Sequence, residues 1–165
     1  MGNNAIQIVI NPIAGGRRAG QQIQTIRREF SQHFNTQPIV HVTAQKEDGF
    51  RVGHQLRQSG AKLVVVAGGE GTIHEVINGL FMNGADFSTK CEIGLLNLGS
   101  GGDFARGLGL PKSLSSQIAL LAKSEPMNVD LGLVHYDNAN GQPQQRIFMN
   151  EFQLGIGAKA VGPDF

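Results

Sequence analysis

Gly68-Gly69-Glu70-Gly71-Thr72 stands between a Val-rich run, Leu63 to Ala67, and an apolar-periodic stretch that opens at Ile73. Strand, glycine turn and helix start are the parts from which a chain builds an anion cradle with its own backbone. Glycine lets the chain turn sharply and lets a ligand come close to the main chain. The unpaired N–H groups and the positive end of the helix dipole then face the anion. Glu70 is an acid inside that cradle, where a carboxylate beside phosphates must hold a metal or take a proton. Two more loops follow the same logic: Asn11-Pro12-Ile13-Ala14-Gly15-Gly16 and the segment Asn97 to Gly102. Taken singly, each loop reads better as a tight packing turn. If the preceding strands are parallel, all three loops share one sheet edge, where open α/β sheets bind ligands. Together they point to a phosphate or nucleotide site.

Other chemistries lack their residues. No G-x-x-x-x-G-K-[ST] is present, and no G-x-G-x-x-G follows the first strand, so neither a P-loop nor a Rossmann dinucleotide site is supported. No G-x-S-x-G elbow occurs. His33, His41, His54, His74 and His135 are scattered without zinc-ligand spacing. The single cysteine, Cys91, reads as a small packed residue rather than a nucleophile.

The elements that must position these loops follow from the hydrophobic pattern. Ala5 to Ile10 predicts a strand. Arg18 to Phe34 predicts one helix, with Ile23, Ile26, Phe30 and Phe34 on its apolar face. Pro38 to Thr43 is a second strand. Asp48 to Ser59 is a helix with Val52 and Leu56 inward, ended by Gly60 as a C-cap glycine. Lys62 to Ala67 is the continuous apolar run of a strand buried on both faces. Thr72 to Phe81 predicts the next helix, with Thr72 and Glu75 spaced as a T-x-x-E capping box. Ile93 to Leu96 is a strand, a helical segment starts near Asp103, Pro111 breaks it, and Leu114 to Lys123 is helical. Met127 to His135 and Gln145 to Leu154 then read as an antiparallel hairpin turned by Asp137-Asn138-Ala139-Asn140-Gly141. The alternation of strand and helix gives an α/β fold with a three-layer parallel sheet. We expect an α/β nucleotide-binding domain over 1–125. Residues 126–165 are expected to form the opening β-hairpin of a second, β-rich domain that is mostly absent from this chain.

Four motifs, in order, carry a resemblance. They are Asn11-Pro12-Ile13-Ala14-Gly15-Gly16; Gly68 to Thr72 with Glu75 and Asn78-Gly79; Leu98-Gly99-Ser100-Gly101-Gly102-Asp103-Phe104-Ala105-Arg106; and Val129-Asp130-Leu131-Gly132. The set resembles the catalytic domain of the diacylglycerol kinases, which include bacterial lipid kinases and are related to sphingosine and ceramide kinases. Phe148-Met149-Asn150 with Gly155 and Gly157 is similar to the segment where that family enters its second domain. The resemblance implies an ATP-dependent kinase that passes the γ-phosphate to a lipid hydroxyl, of diacylglycerol type, using ATP and Mg²⁺. It implies that Gly68, Gly69, Gly71 and Thr72 wrap the nucleotide phosphates, that Asn11 lies beside them, and that Ser100 and Asp103 border the nucleotide, with Asp103 toward the metal. Glu70 stands where the family has its catalytic aspartate, with a carboxylate about 1.3–1.5 Å further out. Gly102 stands where the family has asparagine. Asp130 would begin the crossing to the second domain. The G-G-x-G-T logic is shared with NAD kinases, which remain an alternative, as does a non-catalytic nucleotide-binding or regulatory module.

Composition narrows the partners. The 165 residues carry a net charge of +1 and are 40% hydrophobic. That charge leaves no electrostatic footprint for nucleic acid. Arg17, Arg18, Arg27 and Arg28 read as a solvated helix face. No run approaches the ~18 apolar residues that span a bilayer. With one cysteine and no signal-peptide pattern, the expected setting is the cytoplasm, with a peripheral approach to the membrane surface where a lipid acceptor would be met. An unpaired hairpin also leaves room for a homodimer formed by strand addition.

Overall fold

The computed structural model describes residues 5–82, 90–99 and 103–149. In chain order they form β1 (Gln7–Ile10), α1 (Ala14–Gln21), α2 (Ile23–Phe34), β2 (Ile39–Val42), α3 (Asp48–Gln58), β3 (Leu63–Gly68), α4 (Glu70–Phe81), β4 (Glu92–Asn97), α5 (Asp103–Gly107), α6 (Leu114–Leu121), β5 (Gly132–Asp137) and β6 (Pro143–Phe148). Two compact units result, Met1–Asn128 and Val129–Phe165.

The first unit is the α/β sheet the alternation predicts. Its four strands run in the order β2-β1-β3-β4, and every neighbouring pair is parallel. β1 and β3 are buried along nearly their whole length, as central strands covered on both faces must be. Ile8, Ile10, Val65, Ala67 and Leu96 join Ile26 and Phe30 of α2 and Ile118 of α6 in one core cluster, with Ile23 and Phe34 packed against it. Because side chains alternate along a strand, Val64 and Val66 face the other way, toward the layer of α3 and α4. Right-handed crossovers account for this division, since the chain steps one way from β1 to β2 and the opposite way afterwards.

α3 and α4 pack through glycine. A methyl group on Gly79 would collide with the Phe50 carbonyl oxygen, and one on Gly53 would lie 2.5 Å from that of Val76. α3 closes in a Schellman turn: Ala61 N–H bonds the Leu56 carbonyl at 3.0 Å and Gly60 N–H that of Arg57 at 3.0 Å. Gly60 takes φ +69°, the left-handed value that turn requires.

Two sequence expectations in this unit need correction. The predicted helix Arg18 to Phe34 is two helices, α1 and α2, which part at Gln22, and α1 starts earlier, at Ala14, through left-handed angles at Gly15, Gly16 and Arg17. The predicted T-x-x-E box does not form. β3 runs on to Gly68, so Gly69 is the N-cap of α4 and Thr72 sits inside the helix. Glu75 instead reaches across to α3, accepting the Glu47 N–H at 2.9 Å and the Gly49 N–H at 3.0 Å. It caps the start of a neighbouring helix rather than its own.

The second unit shows an antiparallel β5–β6 hairpin, in register from Gly132↔Phe148 to Asp137↔Pro143. The first strand therefore starts at Gly132 rather than Met127, and the predicted end of the second strand, Leu154, lies outside the described residues. Asn138 closes the turn: its Oδ1 accepts the N–H groups of Asn140 at 2.9 Å and Gln142 at 3.0 Å.

Candidate functional site

The strand order places the point where chain direction reverses between β1 and β3. The loops leaving these two strands go to opposite faces of the sheet, which opens a crevice at their carboxyl ends. The side chain of Asn11, directly after β1, spans that crevice: its Nδ2 donates to Thr72 Oγ1 at 3.2 Å. Its Oδ1 accepts the Ile13 N–H at 3.2 Å and its own N–H reaches the Ala67 carbonyl at 3.1 Å, so Asn11 is held at three points.

The third loop joins the same contact. Leu98 N–H bonds the Gly68 carbonyl at 3.0 Å. A methyl group on Gly99 would lie 2.6 Å from the Gly69 Cα, and one on Gly15 would collide with the Leu98 carbonyl. Glycine at these positions is what lets the three backbones meet. The sequence expectation that the loops share one edge is thus met by direct contact among residues 11–15, 68–72 and 98–99.

At the centre lies the start of α4. Glu70, Gly71 and Thr72 precede the first intrahelical bond, from Ile73 N–H to the Gly69 carbonyl at 3.1 Å, so their amides belong to the unpaired first turn of the helix. Among the described residues, no heavy atom outside the backbone of α4 itself stands within 4 Å of the place a Gly71 side chain would take. Gly69, Glu70 and Gly71 are half-buried or exposed. An open glycine turn at a helix N-terminus suits a phosphate group. Thr72 differs, being 6% exposed, with its hydroxyl spent on Asn11.

Glu70 is exposed, and its Oε1 accepts the Phe104 N–H at 3.3 Å. Its carboxylate therefore ties the first turn of α4 to the first turn of α5. Asp103 opens α5, and Ser100 lies outside the described residues. Among the described residues no group of three His, Cys, Asp or Glu side chains is placed to hold a metal ion. A Mg²⁺ ion held by one or two carboxylates together with substrate phosphates needs no such group. Cys91 fits its packing role: burial pushes its thiol up to about 11.

The model of the diacylglycerol kinase catalytic domain matches residues 5–134. The chain belongs to the diacylglycerol kinase catalytic domain family. Relatives include "Probable lipid kinase YegS-like" of Chromohalobacter salexigens, 35% identical over 120 residues that make up 73% of this chain and 35% of that protein. Another is "Probable lipid kinase YegS" of Escherichia coli, 31% identical over 73% of this chain and 37% of that protein. The matched part of the chain thus spans little more than a third of these relatives. A crystal structure of a diacylglycerol kinase from Bacillus anthracis superposes with a TM-score of 0.62 at 24% identity, covering 85% of this chain and 47% of that one. That likeness establishes the diacylglycerol kinase fold. Within this family's motifs, the structure brings Asn11, Gly68, Gly69, Gly71, Thr72 and Glu70 to one crevice, and Asp130 lies in the second unit.

Two polar residues with long-range partners near these loops are not legible from local spacing. Local spacing offers Glu75 as a cap of its own helix, and Gln117 stands inside an apolar helix. Gln117 is 3% exposed, and its Oε1 accepts the Asn97 N–H at 2.8 Å. The available signal was a polar side chain placed beside Ile118 and Leu121 on a core-facing helix, because a buried amide demands a partner.

Proposed function

We propose that this chain is the nucleotide-binding part of an ATP-dependent lipid kinase that transfers the γ-phosphate of ATP to the hydroxyl of a diacylglycerol-like lipid. The observation that carries the reading is the Asn11–Thr72 bond across the crevice, at 3.2 Å, beside the open first turn of α4. In this reading the amides of Glu70, Gly71 and Thr72 receive the phosphates, and Asn11 fixes the distance between the two loops. Mg²⁺, when bound with the nucleotide, would neutralise phosphate charge, and Glu70 and Asp103 are the carboxylates assigned to its neighbourhood. Phosphoryl transfer draws mainly on positioning and charge neutralisation, which backbone donors can supply. The acceptor would be met at the membrane surface by a chain resident in the cytoplasm, and a second copy could add to the hairpin edges.

Millimolar ATP with Mg²⁺ is expected to raise the melting temperature through linkage, more than Mg²⁺ alone or NAD. The same protein is then given diacylglycerol-containing vesicles and radiolabelled ATP, with NAD as competing acceptor. Labelled lipid supports the reading, and no thermal shift at millimolar ATP would sink it. The Glu70–Phe104 bond favours one second reading, a nucleotide-binding module without transfer, since the carboxylate at the family's aspartate position is already engaged. That reading predicts ATP stabilisation with no labelled lipid, and no gain from Glu70→Asp.

A further inference from the structure

We propose that Gln117 is a positioning residue for the nucleotide site, acting from α6 through Asn97 and Gly99. The inference rests on the kinase reading above, and its mechanical part stands on geometry alone. Among the described residues β4 is an edge strand, so amides on its outer side have no described strand to pair with. Asn97 is its last residue, and the Gln117 Oε1 supplies the missing acceptor at 2.8 Å. Asn97 Oδ1 in turn accepts the Gly99 N–H at 3.3 Å. Gly99 abuts Gly69, the N-cap of α4, where a methyl on Gly99 would come within 2.6 Å of the Gly69 Cα. A continuous path thus runs from a buried amide on α6 to the residue that begins the phosphate-facing turn.

α6 can hold this position because β4 carries Gly94. A methyl there would lie 3.0 Å from Leu121 Cδ1, so the helix sits close against the strand. Leu121 lies over Gly94, and Gln117, one turn earlier, reaches Asn97. A leucine at 117 would fill apolar space but leave the Asn97 N–H without its acceptor. A buried glutamine is retained at a desolvation cost that only a specific partner offsets.

The test uses the whole chain with Gln117→Leu, Gln117→Glu and Asn97→Ala. Amide exchange of Asn97 and Gly99 is followed by NMR, and ATP–Mg²⁺ affinity by calorimetry. Gln117→Leu should speed exchange at both amides and weaken ATP about three- to tenfold, the loss of one positioned hydrogen bond. Gln117→Glu keeps an acceptor oxygen at the same reach and should restore protection at Asn97. Asn97→Ala, on a half-buried strand end, removes only the second link; it should expose Gly99 alone to exchange and weaken ATP as well, which keeps the test alive if Gln117→Leu fails to fold. A merely structural glutamine would lower the melting temperature and leave ATP affinity unchanged in every folded variant, and that result overturns the proposal. Unchanged exchange at Asn97 in folded Gln117→Leu overturns it too. If the unaltered protein binds no ATP, the nucleotide part falls with the kinase reading, while exchange still decides whether α6 holds the loop.

Discussion

Asp48 shows how much of this molecule hangs on single carboxylates. Its Oδ2 accepts the Ala44 N–H at 2.8 Å and the Gln45 N–H at 3.3 Å, and Oδ1 meets Arg51 at 3.2 Å. The Ala44 amide above all, then Arg51, holds its pKa below the ordinary 3.8. As pH falls, the unfolded chain therefore takes up this proton before the folded one does. The stability Asp48 contributes is whole above the ordinary carboxylate range and drains away as pH drops through the lowered native value. Asp48→Asn should flatten this part of the acid limb in urea titrations run from about pH 6 down to pH 2. An unaltered acid limb would refute the assignment. Asp48 was legible in the sequence as a helix start, because its partners lie within four residues. Glu75 was not, because its partners lie 26 and 28 residues upstream and local spacing offered a plausible false one in Thr72. The same holds for Gln117, whose partner is 20 residues away.

Among the elements, the α3–α4 pair is the most tightly specified. Gly79 faces backbone on its packed side: the Phe50 carbonyl, and the His54 nitrogen at 2.9 Å. Backbone cannot rotate away as a side chain can, so Gly79→Ala must push the helices apart. The expected cost is about 3 kcal/mol, at the upper end for overpacking, read as a lower midpoint in urea. Gly71→Ala is the informative contrast. It has open space and a helical position, so it should gain up to about 1 kcal/mol from propensity. Because the added methyl would stand in the phosphate approach, ATP affinity should fall even as stability rises. Equal behaviour of the two variants would contradict the assigned geometry. The helices themselves were readable from apolar periodicity, and so were β1, β3 and the sharing of one edge by their loops. The break between α1 and α2 was not, since it falls at Gln22, a residue type that carries no turn signal, and the left-handed angle of Arg17 lies earlier, inside α1.

At the scale of the whole chain, the two units differ in how they are covered. Val64, Val65 and Val66 of β3 are fully buried, whereas Leu133 and Tyr136 of β5 are 39% and 40% exposed. Amides of β3 should exchange only with global unfolding and those of β5 by local opening, orders of magnitude sooner. Equal rates would mean that the hairpin is far better protected than its exposure implies. No helix among the described residues is long and apolar enough to cross a membrane. The reach of Glu75 across to Glu47 and Gly49 has a consequence for how the chain acquires this shape. The first turn of α3 lacks that partner until β3 has been laid down and α4 has begun. During synthesis α3 emerges first, with its leading amides open to water, and it waits for a carboxylate still inside the ribosome. The first turn of α3 is therefore completed only after the strand and the helix that follow it, and the glycine turn that opens α4 is in place by then.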